Sequence, residues 1–519
     1  MLRIITEAQL LRLLGDWQGA QAGGPGQAVI PGYARLAAAL RALLLDARLP
    51  AGARLPAERG LAAALGMSRT TVAAAYRLLR EEGYLASRQG SGSVTGLPPG
   101  RLRRHAPWVP AVPDDEDALD LALASPEACA EVPAAMAAAL DMLPAYLHGH
   151  GYDTYGLPVL REAIARRYAR RGLPTAPEQI FVTGGAQHAL DLLLRCLVSP
   201  LDPVLVESPT YPNALDALTR AHARVVAVGL APGGWDIDLM AAALRQTLPR
   251  LAYLMPDFHN PAGHLMNAPD RAALAEAAAA VGTRLVVDET FAELSLGDGA
   301  AELAPGDGAA ERAPGGTAPG IGGPAGPAAS APPAPLAVWD PAGQVITVGS
   351  MSKAFWAGLR VGWVRADPGL AAQLQAARGP SDLASPVVEQ LAAAWLLERA
   401  DSLLPARRES LARRRDTLAA ALTERLPAWK FRLPAGGLCL WARLDAPVSS
   451  ALAHAAERHR LRLVPGPRFG AGGNLEGYLR LPFALPEAEL IEAAARLVAA
   501  RGSLWPARSA PLTTPIPVA

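Results

Sequence analysis

Val345-Ile346-Thr347-Val348-Gly349-Ser350-Met351-Ser352-Lys353 is a β-rich run that ends in small residues, two hydroxyls and an amine. Of the 49 lysines and arginines in the 519-residue chain, only two, Lys353 and Lys430, are lysines. Arginine therefore carries nearly all the positive charge, and a retained lysine points to chemistry that arginine cannot do. A lysine amine can lose its proton and attack a carbonyl, whereas a guanidinium stays protonated. Arg360 follows seven residues later. A strand leading into hydroxyls, an amine and then an arginine suits an aldehyde that also bears a phosphate. Lys430, in Pro427-Ala428-Trp429-Lys430-Phe431, lacks such surroundings and reads as a surface charge.

Around this stretch, β-rich and helical segments alternate from about residue 120. Strands are expected at Gln179–Thr183, Pro203–Glu207, Arg224–Val228, Ala252–Met255, Arg284–Asp288, Val345–Val348 and Val361–Val364, with helices such as Ala186–Leu197 and Pro269–Val281 between them. Alternation on this scale means an α/β layer structure with a mainly parallel sheet. Residues 298–335 are Gly, Ala and Pro with little apolar bulk, so they read as a disordered insertion that cannot bury a core. The expected body is 120–505, followed by a flexible tail over 506–519.

Several strand-end residues fit one pocket. Asp288 closes Leu285-Val286-Val287, where a carboxylate can pair with a protonated pyridine nitrogen and make the ring an electron sink. Asn260, in His259-Asn260-Pro261-Ala262-Gly263, offers an amide to a ring hydroxyl, and Tyr211 a face for stacking. Thr183-Gly184-Gly185-Ala186-Gln187 joins a strand to a helix, so the amides of Gly185, Ala186 and Gln187 can cradle a phosphate. Ser350, Ser352 and Arg360 would complete that cradle. A carboxylate at a strand end is common alone; in this order the set suits pyridoxal 5'-phosphate (PLP). Arg480, in Gly477-Tyr478-Leu479-Arg480-Leu481, can clamp a carboxylate in bidentate fashion, or else form a core ion pair with Glu476 or Asp445.

The N-terminal part differs in charge. The chain carries a formal +1, but residues 33–104 hold twelve arginines against four carboxylates. A basic module on a near-neutral body suits nucleic acid, although arginine-rich helices can also simply solvate themselves. Residues 1–30 read as an extension with a short amphipathic stretch. Helices follow from Tyr33, over Ala57–Leu65 and from Ser68 to Glu82, then a hairpin around Gln89-Gly90-Ser91-Gly92-Ser93. Ser68 suits an N-cap, which puts Arg69, Thr70 and Thr71 at the leading end of a recognition helix. Arg88, Gln89 and Gly90 would lie on a wing. Arg59, leading into the second helix, can pair with Glu58 or with a neighbouring helix. Residues 98–119, rich in Pro, Arg and Asp, read as a linker.

Cys129, Cys196 and Cys439 are far apart, with no metal-ligand spacing, so reduced core thiols and no metal are expected. Charge breaks the N-terminus before any signal-peptide core, and arginines interrupt every apolar run. A cytoplasmic protein with no membrane span is expected.

Two resemblances gather these readings. Residues 31–97, with Leu-Pro-Ala-Glu-Arg from Leu55, Ser-Arg-Thr-Thr-Val-Ala-Ala-Ala-Tyr from Ser68, then Glu-Gly-Tyr-Leu and Gly-Ser-Gly, resemble the winged-helix domain of the GntR regulators. That implies contacts from Arg59, Arg69, Thr70, Thr71 and the Gln89-Gly90 wing to a double-stranded DNA operator. Ala73 stands where the family often has a further basic residue. From about 120 to 500 the chain resembles a fold-type I aminotransferase, through Tyr152 to Arg161, the Asn-Pro-Ala-Gly string, Asp288 and Ser-Met-Ser-Lys. The two together resemble the MocR subfamily, which implies a homodimer with PLP on Lys353 and an amino acid, amine or PLP itself as the sensed molecule. The other reading is a working aminotransferase with a DNA-binding appendage. Thr290 and Phe291 stand where the family usually has a tyrosine donating to the ring hydroxyl, which favours sensing over turnover.

Overall fold

The computed structural model describes residues 4–15, 31–45, 49, 52–88, 92–96, 117–297 and 332–504. The head contains α1 (Glu7–Leu14), α2 (Gly32–Leu45), α3 (Glu58–Leu65), α4 (Arg69–Glu81) and an antiparallel hairpin, β1 (Leu85–Arg88) and β2 (Gly92–Thr95). Its core is mainly aliphatic: Leu36, Leu40, Leu61, Val72, Ala75 and Leu79 are fully buried, with Tyr76 and Tyr84 beside them. Each such leucine or valine contributes about 1.5–3 kcal/mol. The expected division at residue 30 is corrected by α1. Thr6 caps it through a reciprocal bond with Gln9, and Leu10 is fully buried in the same cluster as Leu36 and Leu61. The Ile5 N–H also donates to the Arg54 carbonyl at 2.9 Å. The leucines read as an amphipathic stretch are the seam that joins this segment to the head.

The body begins with β3 (Leu119–Asp120), α5 (Val132–Met142) and α6 (Pro158–Arg170). Then come β4 (Ile180–Thr183), α7 (Ala186–Leu197), β5 (Pro203–Ser208), α8 (Pro212–Arg220), β6 (Arg224–Gly229), α9 (Ile237–Thr247), β7 (Leu251–Leu254), α10 (Ala268–Ala280) and β8 (Arg284–Asp288). After the undescribed 298–331 follow β9 (Val345–Ser350), β10 (Gly362–Arg365), α11 (Pro368–Arg378), α12 (Val387–Glu398) and α13 (Ala400–Arg425). The remainder is β11 (Cys439–Arg443), α14 (Ser449–Glu457), β12 (Leu461–Arg462), β13 (Val464–Pro465), β14 (Tyr478–Pro482) and α15 (Glu487–Leu504).

Seven strands form one sheet in the order β4-β10-β9-β8-β7-β5-β6. All ladders are parallel except those of β10, which is antiparallel to both neighbours. The central strands are buried on both faces: Leu285, Val286, Val287, Ile346 and Val348 expose 3 % or less. That is why they read as unbroken apolar runs rather than alternating ones. The carboxyl ends of β4, β5, β7, β8 and β9 open on one edge, where α/β sheets take ligands. A smaller sheet, β11-β14-β13, carries Arg480.

Two further boundaries shift. Leu119, placed in the linker, belongs to β3 and pairs in parallel with Leu461 of β12. Of the 298–335 insertion, residues 332–335 are described and hold the body: the carbonyls of Pro333 and Ala334 accept from Arg171 and Arg271. The tail after 505 and most of the linker lie outside the described residues. The head rests on the body through α2 against α14, with the Tyr84 ring edge-on to His454 at 6.0 Å. No helix among the described residues is long and apolar enough to cross a membrane.

Candidate functional site

The strand ends assemble a cleft with three parts. At one end, β4 leads through Thr183-Gly184-Gly185 into α7. Gly185 adopts φ 107°, and a Cβ there would lie 2.9 Å from the Arg360 guanidinium, so this close approach requires glycine. The first amides of α7, at Ala186 and Gln187, have no carbonyl a turn earlier and face an anion by default. Arg360 donates to the Gly184 carbonyl at 2.7 Å. Ser350 Oγ accepts from the Ser352 N–H at 3.2 Å and stands 3.0 Å from Ser352 Oγ. The Gln187 side chain points elsewhere: its amide lies 3.5 Å from the Asn213 carbonyl, so only its backbone serves this end. His188, which sequence reasoning missed, shapes the turn by accepting the Gly184 N–H on Nδ1 at 3.1 Å. Burial lowers its pKa, in keeping with an imidazole that must stay neutral to accept.

The middle holds Asp288, Asn260 and Tyr211. Asp288 is buried, accepts from Thr290 N–H at 2.9 Å and from the Tyr253 hydroxyl at 2.7 Å, and has its pKa raised by burial. Tyr253 is the second residue that sequence reasoning missed. It sits inside the apolar run of β7, where nothing in the pattern sets it apart. Asn260 exposes 6 % and its amide oxygen has no partner. Beside its turn stands Glu207, also missed: its fully buried carboxylate lies 3.2 Å from His259 Nε2 and accepts from Trp235 Nε1 at 2.6 Å and from Met255 N–H at 3.0 Å. Tyr211 leads into α8. Its hydroxyl accepts from Asn213 Nδ2 at 2.5 Å, and burial, then Asp288, pushes its pKa up to about 12. Phe291 is buried and Thr290 half-buried, so no phenol stands at those two positions.

The far end carries the amine and Arg480. Lys353 Nζ donates to the Ala124 carbonyl at 2.9 Å. Burial first, and then the charge of Arg480, lowers its pKa to about 8. The buried Arg480 donates to the Ala122 carbonyl and lies 4.9 Å from the Phe469 ring, and its Nε is unpartnered. The alternative partners are occupied. Asp445 pairs with Arg501, and Glu476 accepts from Ser449 and Ser450. The Leu121–Ala124 segment, brought here by the β3–β12 pairing, therefore closes the cleft over both cations.

Tests of fit come from the orphans. Asn260 Oδ1, Gln187 Oε1, Thr210 Oγ1 and Arg480 Nε are buried and have no hydrogen-bond partner among the described residues. Each such atom costs about 1–3 kcal/mol. Arg480 and Asp288 both act on the charge of the amine, and with the Asn260 amide they make a donor set that suits a phosphorylated, hydroxylated pyridine aldehyde and a carboxylate beside it. Of the body residues singled out from the sequence, Lys353, Asp288, Arg480, Arg360 and Tyr211 act on one another electrostatically, whereas the Gln187 side chain turns to Asn213 and Tyr152 is exposed.

In the head, Ser68 caps α4 by accepting the Thr71 N–H at 3.1 Å, and its Oγ lies 2.7 Å from the hydroxyls of Thr70 and Thr71. Arg69 and Thr70 are exposed and Thr71 half-buried. Arg59 is exposed as well, and Glu58 faces Arg80 at 3.8 Å rather than Arg59. Tyr76 ties α4 to the preceding turn by donating to the Pro56 carbonyl at 3.0 Å. Gln89, Gly90 and the Arg88 side chain lie outside the described residues.

Residues 122–497 match the family described as aminotransferase class I and II, and residues 32–94 match the gntR family of bacterial regulatory proteins. The chain belongs to both: it is a GntR-type regulator built on an aminotransferase domain. An uncharacterized HTH-type transcriptional regulator of Escherichia coli, YdcR, is 28 % identical over 483 residues, covering 86 % of this chain and 94 % of its own. The probable rhizopine catabolism regulatory protein MocR of Rhizobium meliloti is 34 % identical over 264 residues, 47 % of this chain and 53 % of its own. Regulators of this MocR type share the head-and-body arrangement. Among solved structures, kynurenine aminotransferase of Pyrococcus horikoshii, in complex with PMP, superposes with a TM-score of 0.64 at 26 % identity, covering 76 % of this chain and 93 % of that one. The aminotransferase domain of this regulator thus has the fold-type I architecture, with its seven-stranded, mostly parallel sheet.

Proposed function

We propose that this GntR-type regulator holds PLP through Lys353 and converts the arrival of an amino acid or amine into a change in how paired heads grip an operator. The observation that carries the reading is a half-buried amine whose pKa is lowered to about 8, set beside a buried arginine that forms no ion pair among the described residues. At neutral pH such an amine deprotonates readily and attacks an aldehyde. When bound, PLP supplies an electrophilic carbon and an electron-withdrawing ring. Lys353 anchors it, Asp288 holds the ring nitrogen, Asn260 meets the ring hydroxyl, Tyr211 covers a face, and the Gly185–Gln187 amides with Ser350, Ser352 and Arg360 bind the phosphate. Arg480 receives the effector's carboxylate.

With an effector amine held in its place, Lys353 would be a free amine, and its positive charge would lie beside that of Arg480. That redistribution can bias the domain, by no more than the ligand's difference in affinity for the two states. A homodimer would align two heads on half-sites about one helical turn apart, the arrangement helix-turn-helix dimers use. The test is a spectral titration with amino acids and with the matching decarboxylated amines, followed in parallel by operator binding. Spectral shifts without any change in operator binding would sink the sensing role.

A second reading, a working aminotransferase with a DNA-binding appendage, draws support from the complete Lys353, Asp288 and Arg480 set. Half-transamination of some amino acid at roughly 1 s⁻¹, the low end of ordinary turnover, would favour it. The absence of a phenol at Thr290 and Phe291 weighs the other way, because one donor to the ring hydroxyl is gone.

A further inference from the structure

Tyr253 lies in the middle of the sheet, 2 % exposed, and its one hydrogen bond among the described residues runs to Asp288 Oδ2 at 2.7 Å. The β7–β8 register explains how they meet. Tyr253 is level with Val286, and Asp288 is two residues further along the same face of the neighbouring strand. A phenol is long enough to climb that step. Phenylalanine would fill the same apolar space, since Val286, Ile346 and Val348 surround this layer. The hydroxyl therefore needs a reason, and burying it without a partner would be costly.

Asp288 supplies the reason. Burial drives its carboxyl toward the neutral form, while a carboxylate is what a protonated pyridine nitrogen needs beside it. The Thr290 N–H and the Tyr253 hydroxyl both donate to it, at 2.9 and 2.7 Å. A cation in place of the phenol would also stabilise the carboxylate, but it would compete with the pyridinium for the same charge. A neutral donor favours the ionised form and leaves the negative charge available. It also fixes one oxygen, so the carboxylate cannot rotate away from the ring plane.

We propose that Tyr253 is a positioning residue for the cofactor's nitrogen, acting through its hydrogen bond to Asp288. It rests on the reading of this cleft as a PLP site and deepens it. The phenol that aminotransferases place at the ring hydroxyl is missing at 290 and 291, whereas the phenol of Tyr253 donates to Asp288 and would serve the ring nitrogen instead. The site is accordingly biased toward holding the nitrogen protonated rather than toward stabilising the ring oxygen.

The experiment uses full-length protein stripped of cofactor and reconstituted with PLP labelled with ¹⁵N in the ring. Tyr253→Phe should move the ring ¹⁵N resonance from the pyridinium range toward neutral pyridine and weaken PLP binding about tenfold, as loss of a hydrogen bond to a charged group does. In an Asp288→Ala background the same substitution should change PLP affinity less than twofold, because the bond it removes no longer exists. An unchanged ¹⁵N resonance, or an equal loss of affinity in both backgrounds, would reduce Tyr253 to packing and overturn the proposal. If wild-type protein takes up no PLP, the parent reading falls with it; a wild type that loads normally beside an indifferent Tyr253→Phe sinks this inference alone.

Discussion

The head leaves in water the side chains proposed to meet DNA, whereas the body shelters those proposed to meet a small ligand. Arg59, Arg69 and Thr70 are exposed on a small, mainly aliphatic core. Lys353, Asp288, Asn260 and Arg480 sit inside the cleft, with their pKa values or hydrogen bonding disturbed by burial. The difference follows from the size of what each binds. A duplex comes to the surface and is held by charge, so its contacts need no desolvation beforehand. A small ligand must be surrounded, and the groups that surround it lose water in advance. Exposed contacts therefore leave the fold's stability alone, and buried ones weigh on it until the ligand arrives.

The sharpest way to break this contrast is at Lys353. Lys353→Ala should remove the visible absorbance of bound PLP completely while operator binding by the unliganded protein persists. Lys353→Arg should behave the same way, because a guanidinium cannot attack the aldehyde. A borohydride-reducible adduct in either variant would place the cofactor elsewhere. The pH dependence follows from the lowered pKa. The neutral amine is the reactive form, so the rate of PLP loading should climb with pH and level off just above about 8. A climb that continues past pH 10 would mean that the amine stands in water.

Arg480→Ala comes next. Removing one partner of a buried charge pair costs about 2–5 kcal/mol, so amino acids should lose that much affinity in a spectral titration while decarboxylated amines lose none. Equal losses for both classes would assign Arg480 to the fold instead.

Within the head, the prediction concerns stability rather than contact. Leu10→Ala should cost about 2–5 kcal/mol, as leucine truncations in packed cores do, and should appear as faster amide exchange across Val72–Leu79 in the full-length protein. Protection that is unchanged would return residues 4–15 to the status of an extension. The smallest effect is expected at Arg69→Ala, about 1–3 kcal/mol at one operator position, with specificity relaxed there. A uniform loss on operator and random DNA would make Arg69 a phosphate contact.

The body's strands were legible because both of their faces are buried. Leu285-Val286-Val287 and Val345-Ile346-Thr347-Val348 carry no alternation to confuse, and small residues and a carboxylate punctuate their ends. The cap at Ser68 was legible for a local reason: its bond to the Thr71 N–H spans three residues. Leu10 was not, because a short amphipathic helix looks the same whether its apolar face meets solvent, a partner or the head. Tyr253 was hidden for a related reason. Tyrosine is an ordinary strand residue, and only the neighbouring strand's register reveals that its hydroxyl meets Asp288.

By itself, then, the sequence determined the order of the parts: a lysine just after a strand, a carboxylate and an amide at other strand ends, and a basic helical module in front. These rest on residue type and on spacing along the chain, which sequence carries directly. Tertiary structure alone decided that α1 completes the head, that the Ala122 and Ala124 carbonyls meet Arg480 and Lys353, and that the Tyr253 hydroxyl donates to Asp288. Each of these is a contact between segments distant in sequence. Such contacts depend on strand order and register, which come from how all the apolar faces are buried at once and not from any single stretch.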